Sequence, residues 1–317
     1  MRLFQNISIV IHFIILYKDL LIQKKVTKGL LSGLPNKVSD SKKYYSYSTL
    51  IVTGVSQVYT MLRGKDLTRK ERQTQTYLSF LAAIVDEEID KQITSLDQLE
   101  SFLSSMETER SLVLENIYFL VKKILSNSVG DKKEIIELLK YSLLFQLDSL
   151  RQSKENDETA LKQITWNKCG YAFMLSRMLL QQDCTETEKE FCYQYGGIGQ
   201  LGDDLLDVYD DQEDGICTLA HLISIDELEG LYHAELEQCF SLLQELTYSE
   251  KNKRKTKRRL AIISAIPLVG FDLLKKNKIE TGVTFDYKKV KRSETICDMQ
   301  KLKNGLACFQ KINSLMR

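Results

Sequence analysis

Apolar residues recur every three or four positions along most of the chain. One such stripe runs from Ile51 to Leu62 and another from Tyr77 to Val85. This spacing places the apolar side chains on one face of an α-helix, and the every-second-residue alternation of a strand does not hold over any convincing length. The pattern predicts further helices over 112–125 and 135–150, with helix junctions at 94–97 and 126–131.

Few turn-forming residues interrupt these stripes. The 317 residues include only two prolines, Pro35 and Pro267, and 15 glycines, which favours long helices over many short strands. No internal repeat and no break in composition marks a second domain. The sequence therefore predicts an all-α fold of roughly ten helices that form a single domain over 1–317.

The N-terminal region, 1–47, is the least regular part of the pattern. Residues 3–17 contain no Lys, Arg, Asp or Glu, but polar residues dilute the run, and it is shorter than the ~20 apolar residues that span a bilayer. We expect a helix buried in the bundle, with a peripheral membrane contact as the open alternative. The polar stretch 32–47, which contains Gly33 and Pro35, is expected to be a loop.

Charge and cysteine content narrow the classes of function. The net charge of +1 argues against a duplex-binding protein, so no nucleic-acid partner is expected. The run 251–259 holds seven bases and is expected to be a solvated loop or helix end, with phosphate contact left open. Seven cysteines without a C-x-x-C pair indicate reduced thiols and a cytoplasmic protein.

An acidic segment over 196–215 carries the first candidate chemistry. On a helix, Asp203, Asp207 and Asp211 fall on one face at four-residue intervals. Such like charges repel each other, and no Lys or Arg interrupts the segment. A surface helix with its acids in water also has this spacing, whereas a divalent cation such as Mg²⁺ would remove the repulsion. Gln200, Asp210 and Asp214 fall within the same arc, and Asp204 lies at its edge.

A second acidic segment follows the helix predicted over 77–85. Asp86 and Asp90 share one face of that helix, and Glu87 lies at the edge of the face. If the two acidic segments face each other across a helix bundle, their carboxylates can hold Mg²⁺ ions and, through them, a diphosphate.

Both segments resemble the aspartate-rich motifs of the class I isoprenoid (terpenoid) synthase superfamily. The D-E-x-x-D at 86–90 is similar to the first D-D-x-x-D of that superfamily, and the Q-x-x-D-D-x-x-D at 200–207 to the second motif of chain-elongating prenyltransferases. In another register, the Q…D-x-x-D-D at 200–211 resembles squalene and phytoene synthases. The stretch 200–219 most resembles bacterial proteins labelled class 1 isoprenoid biosynthesis enzymes, with Asp203 where those have Asn.

The resemblance implies a fold, a cofactor and a set of ligands. The fold is the isoprenoid synthase bundle around a central apolar cavity, and the cofactor is Mg²⁺ in a cluster of up to three ions. The implied catalytic residues are Asp86, Asp90, Asp203, Asp207 and Asp211. The implied metal ligands are these five together with Glu87 and Asp204.

The implied substrate is a linear allylic prenyl diphosphate, whose ionisation leaves a carbocation. Cationic side chains would complete the neutralisation of the departing diphosphate, with Arg177 as the first candidate and Lys168 as the second. Aromatic rings stabilise a carbocation and keep water away from it. The other predicted substrate contacts are Gln200, Tyr171 and Phe173.

The leading interpretation of the reaction is a terpene synthase that quenches or cyclises the carbocation. The alternatives are a head-to-head prenyltransferase of the squalene/phytoene synthase type, a chain-elongating prenyltransferase, and a helical scaffold without catalysis. Chain elongation usually requires a basic G-K-R-type loop, for which the G-K-D at 64–66 is a poor substitute. The expected partner is the small-molecule prenyl diphosphate, and a homodimer stays open.

Overall fold

The computed structural model describes residues 18–36, 38, 41–90, 112–299 and 301–316, without the side chains of 88–90 and 112–114. None of these residues lies in a β-strand, which confirms the predicted all-α class. The chain divides into two compact units, one within 1–60, 65–136 and 178–183, the other within 61–64, 137–177 and 184–317. The single domain over 1–317 stays a prediction, and the predictions for 3–17 and 94–97 lie outside the described residues.

The first unit is organised around one long helix. Its elements are α1 (18–31), α2 (Ser41–Ser48), a π-helix (Thr49–Val55), most of α3 (Ser56–Arg63), α4 (Arg69–Asp90) and α5 (Leu112–Asn127). Helix α4 packs against α2 and α5. Its Tyr77 ring meets Phe119 of α5 edge-on, with centroids 6.3 Å apart. The helix predicted over 112–125 is thereby confirmed and extends two residues further.

Helix α2 corrects the loop that was expected over 32–47. Tyr44 and Ser48, four residues apart, are the buried residues of this helix. The Tyr44 ring meets Phe80 of α4 edge-on at 5.5 Å between centroids. Because only one of the two buried positions is apolar, the hydrophobic pattern carried almost no helical signal there.

Polar contacts fix α1 on α4. Arg72 of α4 pairs with Asp19 at 2.6 Å, and Gln23 Nε2 donates to Thr76 Oγ1 at 2.9 Å. Gln23 and Thr76 are fully buried. Their mutual hydrogen bond satisfies groups that would otherwise be costly to remove from water.

The second unit contains the remaining helices, and α8 lies at its centre. Helix α8 packs against α11 and α12, and α14 packs against α12. Thr185 and Glu188 begin α8 with a reciprocal capping box, the side chain of each accepting the backbone N–H of the other. The elements are α6 (Lys132–Asp148, its first turn in the first unit), a 3-10 helix (Ser149–Ser153), α7 (Glu158–Met178), α8 (Glu186–Leu206), α9 (Val208–Glu213), α10 (Leu219–Leu222), α11 (Ile225–Glu245), α12 (Glu250–Lys276), a 3-10 helix (Tyr287–Lys289), α13 (Arg292–Thr295) and α14 (Leu302–Leu315).

The basic run 251–259 forms the first turns of α12. Two of its bases, Lys253 and Arg259, are buried rather than solvated. Lys253 Nζ donates to the Gln244 carbonyl at 2.7 Å and pairs with Glu250 at 2.6 Å. The run is therefore a helix end, as expected, but part of it packs into the unit.

None of the described helices combines the length and the apolar character that a bilayer crossing requires.

Candidate metal and diphosphate site

Small residues bring α7 and α8 into close contact next to the acidic segment. A Cβ added to Gly196 would lie 2.4 Å from the Cys169 carbonyl oxygen, and one added to Gly197 would lie 2.4 Å from Trp166 Nε1. Such distances leave no room for a larger side chain. The contact places the polar residues of α7 beside the carboxylates at the end of α8.

The acidic segment bends at Asp207, which corrects the single continuous helix expected over 203–211. Helix α8 ends at Leu206, and Asp207 has φ −100° and ψ 9° before α9 begins. Backbone hydrogen bonds still join Asp207 N–H to the Asp203 carbonyl at 2.9 Å and Asp211 N–H to the Asp207 carbonyl at 2.8 Å. The helical hydrogen bonds between these three aspartates therefore continue through the bend.

His221 of α10 holds the chain immediately after the bend. Its Nε2 lies 2.8 Å from the Val208 carbonyl oxygen, which can only accept, so Nε2 carries the proton. Its Nδ1 accepts from the Thr218 backbone N–H at 3.1 Å. Burial lowers the pKa of His221, against an opposing contribution from the Val208 carbonyl. Both ring nitrogens are thus used by the neutral imidazole.

The aspartates of the segment divide into an outward and an inward group. Asp203 and Asp207 are exposed and Asp211 is half-buried. Asp204 is only 3% exposed. It accepts hydrogen bonds from Gln200 Nε2 at 2.8 Å and from Thr165 Oγ1 of α7 at 3.1 Å. Asp204 and Gln200 therefore face α7, and their predicted roles as metal ligand and substrate contact receive no support from this geometry.

The outward carboxylates destabilise each other's charged forms. Although part of Asp207 is exposed, its carboxylate is partly desolvated by surrounding protein atoms. This desolvation, together with repulsion from Asp203 and Asp210, raises the pKa of Asp207 to about 6. Desolvation and repulsion from Asp204 and Asp207 raise the pKa of Asp211 to about 8. The charge of this cluster is therefore only partly compensated by the protein.

Two cations lie near the cluster. The half-buried Lys168 of α7 interacts electrostatically with Asp204 and Asp211 and lowers the pKa of both. Arg292 of α13 donates to both carboxylate oxygens of Asp210, from Nε at 2.6 Å and from a terminal nitrogen at 2.5 Å. It also lowers the pKa of Asp207.

Arg177, the first candidate for a diphosphate contact, lies elsewhere. It is 3% exposed and its guanidinium pairs with Glu188 at 3.0 Å. The Tyr248 hydroxyl also donates to Glu188, at 2.7 Å. Burial opposes the charge of Arg177, but Cys184, Glu188 and Tyr248 raise its pKa overall. The structure thus engages Arg177 in an internal ion pair, and its role in substrate binding is unsupported.

The C-terminal part of the second unit contributes to this site, although the sequence pattern there indicated nothing. Gln212 Nε2 donates to the Phe285 carbonyl at 3.0 Å, and its Oε1 accepts the Tyr287 backbone N–H at 2.8 Å. The rings of Tyr209 and Tyr287 meet edge-on at 5.7 Å between centroids. These contacts hold α9 against the segment that leads to Arg292. No motif in the sequence links residues so far apart.

Aromatic side chains of α6, α7 and α8 cluster in the same unit. The ring of Tyr171 stacks on Phe145 with centroids 4.8 Å apart and meets Tyr193 edge-on at 5.5 Å. Phe173 meets Tyr195 edge-on at 5.0 Å. Tyr171 and Phe173 are each half-buried. The predicted contact of these two rings with a substrate stays a prediction.

The first acidic segment has partners of its own within the first unit. Lys43 of α2 pairs with Asp86 at 2.7 Å, and the Tyr47 hydroxyl donates to the same carboxylate at 2.7 Å. Neither partner was predicted, because residues 32–47 were expected to form a loop. Glu87 is half-buried, and the side chain of Asp90 lies outside the described residues. The convergence of the two acidic segments stays a prediction.

The carboxylate oxygens at the end of α8 are chemically suited to bind a hard divalent cation. Asp203, Asp207 and Asp211 offer only carboxylate oxygens, the ligands that Mg²⁺ prefers, and their charges repel one another. Among the described side chains, however, no three or more His, Cys, Asp or Glu already stand in an arrangement that could hold a metal. Binding a cation would therefore need side-chain rotation or oxygens supplied by a ligand.

Comparison with known proteins identifies the fold. No family model matches the sequence, and no curated protein matches it. Among solved structures, the chain is similar to a dehydrosqualene synthase crystallised with a ligand, with a TM-score of 0.50 and 14% sequence identity. The similarity covers 86% of this chain and 96% of that one. The chain therefore has the isoprenoid synthase fold, which confirms the fold expected from the resemblance.

Proposed function

We propose that this chain is a Mg²⁺-dependent enzyme of isoprenoid biosynthesis that ionises a linear prenyl diphosphate. The single observation that carries the proposal is the crowding of Asp203, Asp207 and Asp211 at the end of α8. Desolvation, with added repulsion from Asp204 and Asp207, raises the pKa of Asp211 to about 8, so a bound cation would stabilise a carboxylate whose charge is unfavourable here. The isoprenoid synthase fold supports the same conclusion.

The class of reaction we propose is head-to-head condensation of two prenyl diphosphates. The spacing Q…D-x-x-D-D at 200–211, which resembles squalene and phytoene synthases, spans the bend at Asp207. The structural similarity to a dehydrosqualene synthase agrees with this register. We therefore place this class ahead of the terpene synthase that the sequence analysis favoured.

The chain's own residues have separable tasks in this proposal. Asp203, Asp207 and Asp211 would hold Mg²⁺, which when bound supplies Lewis-acid stabilisation of the leaving diphosphate. Lys168 and Arg292 would bind phosphate oxygens directly. To do so, Arg292 would give up its hydrogen bonds to the Asp210 carboxylate and donate to a phosphate instead. The rings around Tyr171 would exclude water and stabilise positive charge on the prenyl chain.

The experiment is a substrate panel. The protein is incubated with Mg²⁺ and geranyl, farnesyl or geranylgeranyl diphosphate, each with and without isopentenyl diphosphate, and released diphosphate and extracted products are measured. Head-to-head condensation gives a product with twice the carbon count of the substrate and needs no isopentenyl diphosphate. A product with the substrate's own carbon count indicates a terpene synthase, and a requirement for isopentenyl diphosphate indicates chain elongation. No diphosphate release from any substrate contradicts the proposal.

A further inference from the structure

One edge of α14 exposes apolar side chains to solvent. Leu302 is 80% exposed and Leu306, one turn later, is 60% exposed. The opposite side of the helix buries Cys308 and Ile312, where α14 packs against α12. Isolated exposed leucines are common, but two at a four-residue interval form a continuous apolar strip.

Basic side chains crowd beside this strip. Lys303 on α14 and Lys276 at the end of α12 are both exposed, and the nearby Lys276 lowers the pKa of Lys303. Carboxylates of the neighbouring helices pair with other bases: Asp226 and Glu229 with Lys275, and Asp272 with Lys311. Residues 275–303 contain nine Lys or Arg against four Asp or Glu. Together these bases make a locally positive surface, which attracts an anionic partner.

We propose that the α14 edge, defined as Leu302, Leu306, Lys276 and Lys303, docks on an anionic lipid bilayer. Leucines beside lysines on one helix are the pattern of helices that lie in a membrane interface. The leucines would enter the acyl boundary, and the ammonium groups would pair with lipid phosphates. Each base near an anionic surface raises affinity by about fivefold.

Charge distinguishes a bilayer from the other occupants. A symmetric dimer built on this edge would bring Lys276 and Lys303 of one copy against the same residues of the other, which is repulsive. A nucleic acid would leave Leu302 and Leu306 in water, and the chain as a whole carries a net charge of only +1. An anionic bilayer satisfies both the apolar and the basic side chains.

This inference goes beyond the proposed function and does not depend on it. Docking would bring the second unit to the phase in which prenyl chains and hydrocarbon products dissolve. Vesicle binding is measured without substrate, so its failure would leave the proposed reaction untouched, and an inactive enzyme could still bind vesicles.

The test is cosedimentation of the full chain with vesicles of phosphatidylcholine alone or of phosphatidylcholine with phosphatidylglycerol. We expect binding to the anionic vesicles that weakens as salt rises, and little binding to the neutral ones. The double variant Lys276→Gln/Lys303→Gln should bind more than tenfold more weakly, and Leu302→Ser/Leu306→Ser should also lose affinity. Circular dichroism and a thermal melt establish that each variant is folded.

Two control variants match these changes elsewhere on the surface. Lys132→Gln/Lys133→Gln removes the same charge from exposed positions of α6, and Leu50→Ser/Leu150→Ser removes exposed apolar residues outside α14. Both controls should bind much as the wild type does. Equal loss in the controls and in the edge variants would overturn the proposal, as would no binding to anionic vesicles. A dimer that the leucine substitutions dissociate, or duplex DNA that competes for the edge, would also overturn it.

Discussion

The two acidic segments differ in how the protein treats their charge. In the first unit, Asp86 is contacted at 2.7 Å by both Lys43 and the Tyr47 hydroxyl. In the second unit, desolvation and repulsion from neighbouring aspartates raise the pKa of Asp207 to about 6 and that of Asp211 to about 8. The first carboxylate has close partners in the fold, whereas Arg292 and Lys168 compensate the second group only in part. A cation therefore gains most at the second segment.

The largest expected effect comes from removing charge at the second segment. Asp207→Asn or Asp211→Asn deletes a hard oxygen ligand while keeping the shape of the side chain. We expect turnover of the prenyl diphosphate to fall about a thousandfold, because metal stabilisation of a leaving group is worth several kcal/mol. Steady-state release of diphosphate measures this loss, and an unchanged melting temperature shows that the fold is intact.

Asp214→Asn is the matched control for these variants. Asp214 lies in the same acidic segment, is exposed, and follows α9. It should retain nearly full activity. Wild-type turnover in both the Asp207 and Asp211 variants would remove the second segment from the reaction.

The buried ion pair between Arg177 and Glu188 is a case in which the protein itself compensates a charge. Glu188→Ala would leave the guanidinium of Arg177 buried without its carboxylate. We expect the free energy of unfolding to fall by about 3–5 kcal/mol, because an uncompensated buried charge is costly. Urea denaturation measures this change. Glu186→Ala, which breaks the exposed pair with Lys189 on the same helix, should cost at most about 1 kcal/mol.

If the two substitutions cost the same, Arg177 is not held by Glu188 in solution. Its assignment as an internal residue would then be wrong. The earlier expectation of a diphosphate contact would have to be reconsidered.

The bend that carries Asp207 should be sensitive to acid through His221. Because burial lowers the folded-state pKa of His221 below its ordinary value of 6.5, the unfolded chain binds more protons in the window between the two values. The stability from the neutral imidazole is therefore fully present above pH 6.5 and is lost as pH falls through the folded-state pKa. His221→Ala should cost about 1–3 kcal/mol above that window, and the difference from wild type should shrink below it.

Thermal melts of both proteins across pH check this prediction. A difference between wild type and His221→Ala that stays constant with pH would show that His221 does not titrate as described.

The smallest expected effect concerns the first segment. Lys43→Met removes a half-buried base that competes with a cation for Asp86. The Mg²⁺ concentration for half-maximal activity should fall by a factor of about 1.4 to 5, in line with the ~0.2–1 kcal/mol typical of such pairs. A rise instead would mean that Lys43 binds the substrate itself. Lys42→Met, at the exposed neighbouring position, should have no effect.

The helices were predictable where the apolar stripe was complete. The periodicity predicted the helices now seen as α5 and α6 to within a few residues. It missed α2 because Tyr44 is the only apolar residue among its two buried positions. The hydrophobic periodicity of a sequence reveals which helix positions are buried only when the buried side chains are themselves apolar.

The site was predictable in part, for a related reason. The four-residue spacing identified Asp203, Asp207 and Asp211, and it survives the bend. Spacing alone could not tell that α7 packs over Asp204, since adjacent helix positions are distinguished only by what covers them. Arg292 and Lys43 are brought to their aspartates by tertiary packing, for which no short motif exists.

A calorimetric titration of Mg²⁺ with inorganic pyrophosphate into the protein tests the site at the end of α8 most directly. We expect saturable joint binding in the wild type that is lost in Asp207→Asn and Asp211→Asn and kept in Asp214→Asn. Equal binding in all four proteins, or none in the wild type, would contradict a metal and diphosphate site at the end of α8.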